Sequence, residues 1–228
     1  LVVKEEGMIA VLHADPEIAE KARAAIKAEY DVPAPTVDDK SIFDHLVTKA
    51  PKPQQSERKG DLAAGEKAAA TIFEHTYLNG YGAHASIETH TACAKLDGDK
   101  MTVWISTQTP FSTQQEIARA IKFQNPKVRV ITPYVGGGFG GKSGGLQALE
   151  AARLAKITGK PVQVAFTREE EFFYDSFRPA AVVKIKSGLD SSGKICLFDN
   201  HIYFAGSRSA EQFYDVPNNL TSSYGGWM

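Results

Sequence analysis

Short apolar runs separated by turn residues make up most of the chain, and they predict more strands than helices. Apolar residues recur at helical spacing in three stretches, which predicts helices over residues 15 to about 29, 112–123 and 146–157. The predicted strands are residues 1–4, 8–12, 71–78, 86–96, 101–106, 128–135, 162–166, 181–186 and 195–204. Turn residues predict hairpins between the first and second, the fourth and fifth, and the last two of these strands. The pattern therefore predicts an α+β fold.

The predicted elements fall into two unequal parts. Proline, charged residues and glutamine dominate the stretch before Glu66, and no periodicity is visible there, so residues 51–65 are predicted to be a linker. The parts on either side are residues 1–50 and 66–228. The chain begins in the middle of an apolar run and stops just after Gly225-Gly226, so we expect both ends to continue in a longer polypeptide.

Composition and charge remove several classes of function. The 228 residues include 26 Lys+Arg and 27 Asp+Glu, and this balance argues against an electrostatic binder of nucleic acid or anionic membranes. No apolar run is long enough to predict a transmembrane helix. The two cysteines, Cys93 and Cys196, are too far apart for a CxxC motif and too few for a disulfide framework.

Glycine is concentrated in one short segment. Seven of the 19 glycines lie within residues 136–145, in the sequence GGGFGGKSGG, and such density predicts left-handed backbone or close approach to a ligand. The segment fits a P-loop (136–143), a GxGxxG dinucleotide fingerprint (136–141) and a GxSxG nucleophile elbow (141–145). A glycine-dense run satisfies loose patterns by chance, so none of them is decisive alone.

The P-loop is the most specific of these three matches. It would cradle phosphate on backbone N–H groups, with Lys142 pairing with its charge and Ser143 holding magnesium. The required acidic strand end is offered by Asp199, but a hairpin turn precedes its strand and predicts antiparallel pairing. Gly144-Gly145 also delay the helix that should begin at the lysine. A nucleotide-binding protein stays an alternative, and it predicts ATP or GTP binding that is lost on Lys142→Ala.

Three polar residues lie close together around the start of the second predicted hairpin. His84, Glu88 and His90 could contribute to a metal site, but no third or fourth ligand with suitable spacing is evident. We therefore favour a hydrogen-bonded polar cluster in the interior.

Six motifs in order along the chain resemble one family. They are His84-x-x-x-Glu88-Thr89-His90, VWISTQ at 103–108, VRV at 128–130 leading into GGGFGGK at 136–142, GKPV at 159–162, TREE at 167–170 and YDVPN at 214–218. Together they resemble the molybdenum-binding large subunit of the xanthine dehydrogenase, aldehyde oxidase and carbon monoxide dehydrogenase family. By this resemblance, residues 1–50 correspond to the end of an α/β hammerhead domain. Residues 66–228 correspond to the first part of the molybdopterin-binding domain, a mixed sheet with flanking helices.

The resemblance implies a cofactor site around the glycine segment. Gln108 corresponds to the glutamine whose amide approaches the oxo group of the molybdenum centre, and Phe139 and Gly140 to the Phe-Gly pair beside it. Gly137, Gly138 and Gly141 are the further cofactor-binding candidates, and Ser143 would face the substrate pocket. No residue of this chain is implied to ligate the metal directly, and none to be catalytic.

The implied activity is hydroxylation of an aldehyde or N-heterocycle with water-derived oxygen at a Mo-molybdopterin centre. Electrons would pass to iron–sulfur clusters, with or without FAD as a further centre, on partner subunits or domains of an oligomeric enzyme. Ser143 stands where xanthine-oxidising members have a glutamate, which disfavours purines. The compartment, cytoplasm or periplasm, stays open.

The family's catalytic glutamate and most of its pterin contacts correspond to sequence beyond residue 228. We therefore expect the isolated chain to hold no molybdenum and to be inactive. A non-catalytic scaffold of the same family is the second alternative, and it would lack that glutamate in the longer polypeptide.

Overall fold

The computed structural model describes residues 1–226 and shows short helices interspersed among strands. In chain order the elements are β1 (Val2–Glu5), β2 (Met8–Val11), α1 (Pro16–Ala24), α2 (Ile42–Thr48), β3 (Gln54–Lys59), α3 (Leu62–Ala68), β4 (Thr71–Asn79), β5 (Gly82–Ala83), β6 (Thr91–Asp97), β7 (Lys100–Ile105), α4 (Pro110–Ala120), β8 (Val128–Ile131), α5 (Leu146–Thr158), β9 (Val162–Ala165), α6 (Arg168–Tyr174), β10 (Phe177–Arg178), β11 (Ala181–Leu189), β12 (Ile195–Tyr203) and β13 (Asn218–Tyr224). Mixed sheets with flanking helices confirm the predicted α+β class.

The chain divides into two compact units, each built from two separate stretches. The first unit contains residues 1–34 and 85–175, and the second contains residues 35–84 and 176–226. Each unit has a principal sheet of its own.

A four-stranded sheet in the order β8-β7-β6-β9 forms the centre of the first unit. β7 is parallel to β8 and antiparallel to β6, and β6 is antiparallel to β9. Side chains alternate along β7, so Met101, Val103 and Ile105 all point to one face and are buried there. This face and the helices α4 and α5 enclose the core of the unit.

The helix α5 packs closely on this sheet because alanines cover its buried face. Ala148, Ala151, Ala152 and Ala155 are fully buried, and their small side chains let the helix backbone approach β6. Gly159 then ends the helix in the left-handed conformation. The predicted helix over 146–157 is therefore confirmed.

The second unit is built on a five-stranded sheet in the order β3-β13-β12-β11-β4. Its only parallel pair, within the described part of the chain, is β12 with β13. The predicted antiparallel pairing of β11 with β12 is confirmed. The helix α3 packs against β12 and β13, and Gly65 permits this contact, since a Cβ there would lie 3.0 Å from a methyl carbon of Leu197.

Two predicted segments differ from the structure. The predicted linker 51–65 contains β3 and the start of α3, because β3 finds a partner in β13, which is far away in sequence and was not predicted. The domain boundaries at 50 and 65 themselves stay a prediction, and the last two residues of the second part lie outside the described residues.

The predicted strand over 86–96 is also shorter in the structure, where β6 begins only at Thr91. Ala85 takes a left-handed φ of 47°, and the polar groups of residues 86–90 bond to other segments rather than to a neighbouring strand. Among residues 1–226, no helix is both long enough and apolar enough to cross a bilayer.

Candidate functional site

Four loop segments of the first unit emerge at the same edge of its sheet. β7, β8 and β9 all run in one direction, so the residues that follow each of them meet at one edge. β6 runs the opposite way, so the residues that precede it reach the same edge. We call this set the loop edge: residues 86–90, 106–109, 132–145 and 166–171. All seven residues predicted for the cofactor and substrate site lie in it.

The glycine segment folds into a compact turn at the loop edge. Gly137, Phe139 and Gly140 have φ values of 92°, 53° and 113°, and the N–H of Gly141 donates to the carbonyl of Gly138 at 2.8 Å. A left-handed φ costs a phenylalanine about 1 kcal/mol or more, so the surrounding contacts must hold Phe139 in place. Its side chain is nevertheless 76% exposed.

Gln108 is tied to this turn from two directions. Its backbone N–H donates to the carbonyl of Lys142 at 2.9 Å, and its Oε1 accepts from the N–H of Gly140 at 3.0 Å. A Cβ on Gly138 would lie 2.6 Å from that same Oε1, so only glycine allows the amide to sit there. With Oε1 engaged, the Nε2 donors of Gln108 have no acceptor within residues 1–226.

A buried ion pair lies beneath the turn. Lys142 is 1% exposed, and its Nζ lies 2.6 Å from Oε2 of Glu88 and 3.1 Å from Oγ of Ser106. The same Oε2 accepts from the N–H of Gly136 at 2.6 Å and from Ser106 Oγ at 2.7 Å. Burial of the Glu88 carboxyl works to raise its pKa, but the hydrogen bonds from Lys142, Ser106 and Gly136 outweigh burial and hold the pKa below its ordinary value.

His90 connects the turn to α6. Its ring Nδ1 lies 2.7 Å from Oε1 of Glu171, which also accepts from the backbone N–H of His90, and its Nε2 lies 3.2 Å from the carbonyl of Gly141. Both side chains are almost completely buried. Arg168, at the start of α6, donates to the carbonyls of Ser86 and Ile87.

These contacts agree with the interpretation of Glu88 and His90 as part of a polar interior. In the described part of the chain, no three His, Cys, Asp or Glu side chains are placed so that they could hold a metal ion. Sequence reasoning did not assign Ser106, Thr107, Arg168 or Glu171 to this site. The signal that could have found them is that each lies in a segment that follows a strand of the same sheet.

Ser143 lies on the surface of the loop edge. It ends a short 3₁₀ turn, Gly141–Ser143, and its carbonyl accepts from Oγ1 of Thr109 at 2.9 Å. Its side chain is exposed beside the segment that carries Gln108.

The geometry does not support the P-loop alternative. A P-loop lysine must reach its ligand, whereas Lys142 is buried and bonded to Glu88 and Ser106. The helix begins at Leu146 rather than at the lysine. Asp199 lies within β12 of the other sheet, where it pairs with Lys186 and Leu220.

Comparison with known proteins identifies the family. Residues 47–226 match the family model described as the molybdopterin cofactor-binding domain. The chain belongs to this family. The family recognised from the six sequence motifs is thereby confirmed.

Named relatives are consistent with this membership. The chain is 36% identical over 136 residues to the "probable hypoxanthine oxidase XdhD" of Escherichia coli O157:H7, which covers 60% of this chain and 14% of that protein. It is 35% identical over 153 residues to the "aldehyde oxidoreductase molybdenum-binding subunit PaoC" of the same organism, covering 65% and 20%. The chain thus spans a fifth or less of the length of these relatives.

A solved structure supports the fold. Quinoline 2-oxidoreductase from Pseudomonas putida 86 superposes with a TM-score of 0.77 at 21% identity, over 93% of this chain and 30% of that one.

The loop edge fits a molybdopterin group. The N–H groups of Gly137, Gly138 and Phe139 have no acceptor among the described residues, and neither has Nε2 of Gln108. The oxo and phosphate oxygens of such a cofactor are acceptors, so this set of donors is complementary to them. The N–H groups of Gly136, Gly140 and Gly141 are not available, because they bond within the protein.

Proposed function

We propose that the loop edge forms one side of a Mo-molybdopterin site in an oxidoreductase. The observation that carries the proposal is the orientation of the Gln108 amide. Its Oε1 is held by the N–H of Gly140, which leaves Nε2 as a donor toward any group bound beside the turn. The activity is proposed for a protein that contains this chain, since the matched segments cover only 14% and 20% of these relatives.

When bound, the cofactor would supply the oxidation chemistry, transferring water-derived oxygen to carbon and receiving two electrons. Gln108 would donate a hydrogen bond to an oxygen of the cofactor. The N–H groups of Gly137, Gly138 and Phe139 would hold further acceptor oxygens, and the left-handed turn at 137–140 keeps these donors in a fixed direction. Gly140 and Gly141 would contribute through the shape of the turn, because their own N–H groups are already used.

The substrate class follows from Ser143. A serine there offers a neutral hydroxyl, whereas the resemblance places a glutamate at this position in xanthine-oxidising members. A neutral group favours an aldehyde or an N-heterocycle over a purine that needs a charged partner. The relatives' names include both hypoxanthine and aldehyde oxidation, so Ser143 is the discriminating residue.

The electron path is part of the same proposal. Electrons would leave to iron–sulfur clusters, with or without FAD, on partner subunits or domains. The aldehyde-oxidising relative is named as a molybdenum-binding subunit, which fits an assembly of several chains.

The test is a pair of glutamine variants in the protein that contains this chain, purified from cells that synthesise the cofactor. Gln108→Ala should lower kcat for an aldehyde or N-heterocycle substrate about 100-fold, since it removes a donor aimed at the reacting centre. Gln115→Ala, on the exposed side of α4, is the matched control and should leave kcat unchanged. Molybdenum content, measured by elemental analysis, shows whether the cofactor is retained. An unchanged kcat in Gln108→Ala would contradict the proposed role.

A further inference from the structure

The carboxylate of Glu88 joins three segments of the loop edge through a single oxygen. Its Oε2 accepts from Lys142 Nζ at 2.6 Å, from the N–H of Gly136 at 2.6 Å and from Ser106 Oγ at 2.7 Å. Gly136 opens the glycine segment, Lys142 follows its turn, and Ser106 follows β7. One side chain therefore fixes both ends of the turn and the strand end that leads to Gln108.

The lysine of this ion pair lies in the interior, whereas the Glu88 side chain is one-third exposed. Lys142 is 1% exposed, so water cannot solvate its ammonium, and Glu88 is its only carboxylate partner within ion-pair distance among residues 1–226. An ammonium buried without such a partner is strongly unfavourable. The close approach also depends on glycine, because a Cβ on Gly136 would lie 2.6 Å from Cβ of Glu88.

Lys142 passes this constraint on to Gln108. The carbonyl of Lys142 accepts from the backbone N–H of Gln108 at 2.9 Å and from Oγ1 of Thr107 at 3.1 Å. Gln108 in turn accepts from the N–H of Gly140. A continuous series of contacts therefore runs from Glu88 through Lys142 to Gln108 and Gly140.

We propose that Glu88 is a positioning residue, which holds the glycine turn and Gln108 in the conformation that presents their free donors. Its proposed action is indirect, because Oε2 of Glu88 is already engaged by the three protein donors. The inference rests on the proposed function, since it names what sets the geometry of that site.

The first test uses the 228-residue chain without cofactor and measures amide hydrogen exchange. Glu88→Gln keeps the size of the side chain but removes its charge. It should raise exchange at the Gly136 and Gly140 amides at least 10-fold, while the amides of β6 and β7 change much less. Glu150→Gln removes the same charge from α5 in the same unit and should leave the glycine amides unchanged.

A double variant separates positioning from simple charge compensation. Glu88→Gln with Lys142→Met removes both charges, so the buried ammonium no longer destabilises the unit. The proposal expects the smaller change in β6 and β7 to disappear while Gly140 still exchanges rapidly. Recovery of Gly140 together with the strands would overturn the positioning role, as would unchanged exchange at Gly140 in the single variant.

The second readout is kinetic, in the cofactor-loaded protein. Glu88→Gln should lower kcat about 10-fold with KM within a factor of about two and with molybdenum retained. Loss of kcat that follows loss of molybdenum in proportion would instead indicate a purely structural role. If the longer protein that contains the unsubstituted chain holds no molybdenum, the proposed function fails. The exchange experiment on the isolated chain still tests the role of Glu88 in the turn.

Discussion

Two lysine–glutamate clusters, one in each unit, show how differently the same interaction can serve a fold. Lys142 meets Glu88 at 2.6 Å and Lys186 meets Glu66 at 2.8 Å, so distance hardly separates them. Exposure separates the two pairs, because the side chain of Lys142 is 1% exposed and that of Lys186 is 29% exposed. Water reaches both partners of the second pair but only the carboxylate of the first, so the Lys142–Glu88 pair constrains the local geometry more strongly than the exposed Lys186–Glu66 pair does.

The two lysine clusters also differ in whether a backbone group takes part in them. Lys186 lies on β11 between two glutamates, Glu66 and Glu74, and its hydrogen bond to Glu66 is the main cause that raises its pKa. No backbone group joins this cluster in the described structure. Around Lys142, by contrast, Glu88 also holds a backbone N–H, and this couples the charge pair to the path of the chain.

The largest expected effect comes from removing the buried lysine. Lys142→Met should lower the free energy of unfolding by about 2–3 kcal/mol, less than for a fully buried pair because Glu88 is one-third exposed. Lys186→Met is the matched control on the exposed cluster and should leave the unfolding midpoint almost unchanged. Urea unfolding of both variants measures the contrast. Equal losses in the two variants would show that burial does not distinguish the pairs.

A smaller effect is expected from a methyl group added at the start of the glycine turn. Gly136→Ala places a Cβ 2.6 Å from Cβ of Glu88, so one of the two segments must move, at a cost of about 1–2 kcal/mol. Gly144→Ala is the control in the same segment, because its Cβ would meet nothing within 4 Å and its φ of −94° suits alanine. Thermal unfolding of the two variants compares them. A stable Gly136→Ala protein would mean that the turn is not held against Glu88.

The smallest expected effect is a difference in pH dependence. The pKa of Glu88 is lowered in the folded protein, so the unfolded chain binds more protons and the stability from this group is lost as pH falls below about 4.5. The stability gap between the unsubstituted chain and Lys142→Met should therefore narrow as the solution is acidified through that range. The measurement is the unfolding midpoint of the unsubstituted chain and of Lys142→Met at a series of pH values from neutral to acidic.

The pKa of Glu150 shifts in the opposite direction to that of Glu88, because it is raised in the folded protein. Burial, and then the charge of Glu170, raise its pKa against the effect of Arg153, so its ionisation opposes folding. Glu150→Gln should thus become more stable relative to the unsubstituted chain as pH rises through that pKa. If both variants showed the same trend, the lowered pKa of Glu88 would not be the cause.

Sequence reasoning located the chemistry better than the topology. The motifs at 103–108 and 136–142 led to Gln108 and the glycine turn, and the structure brings these residues into contact. Their roles toward a cofactor stay a prediction. β3 and β13 were missed, since their polar sequences form strands only through pairing with each other and with β12 across the chain.

The sequence by itself determined the local elements with strong periodicity, such as α5 with its buried alanines, and the family to which the chain belongs. Tertiary structure alone decided that residues 86–90 leave the sheet, that Glu88 pairs with Lys142, and that the Gly140 amide is used by Gln108. The local sequence pattern cannot predict these three outcomes, because each depends on which donor and acceptor, distant in sequence, are brought together. That matching is fixed only once parallel β7 and β8 bring their carboxyl ends to one edge.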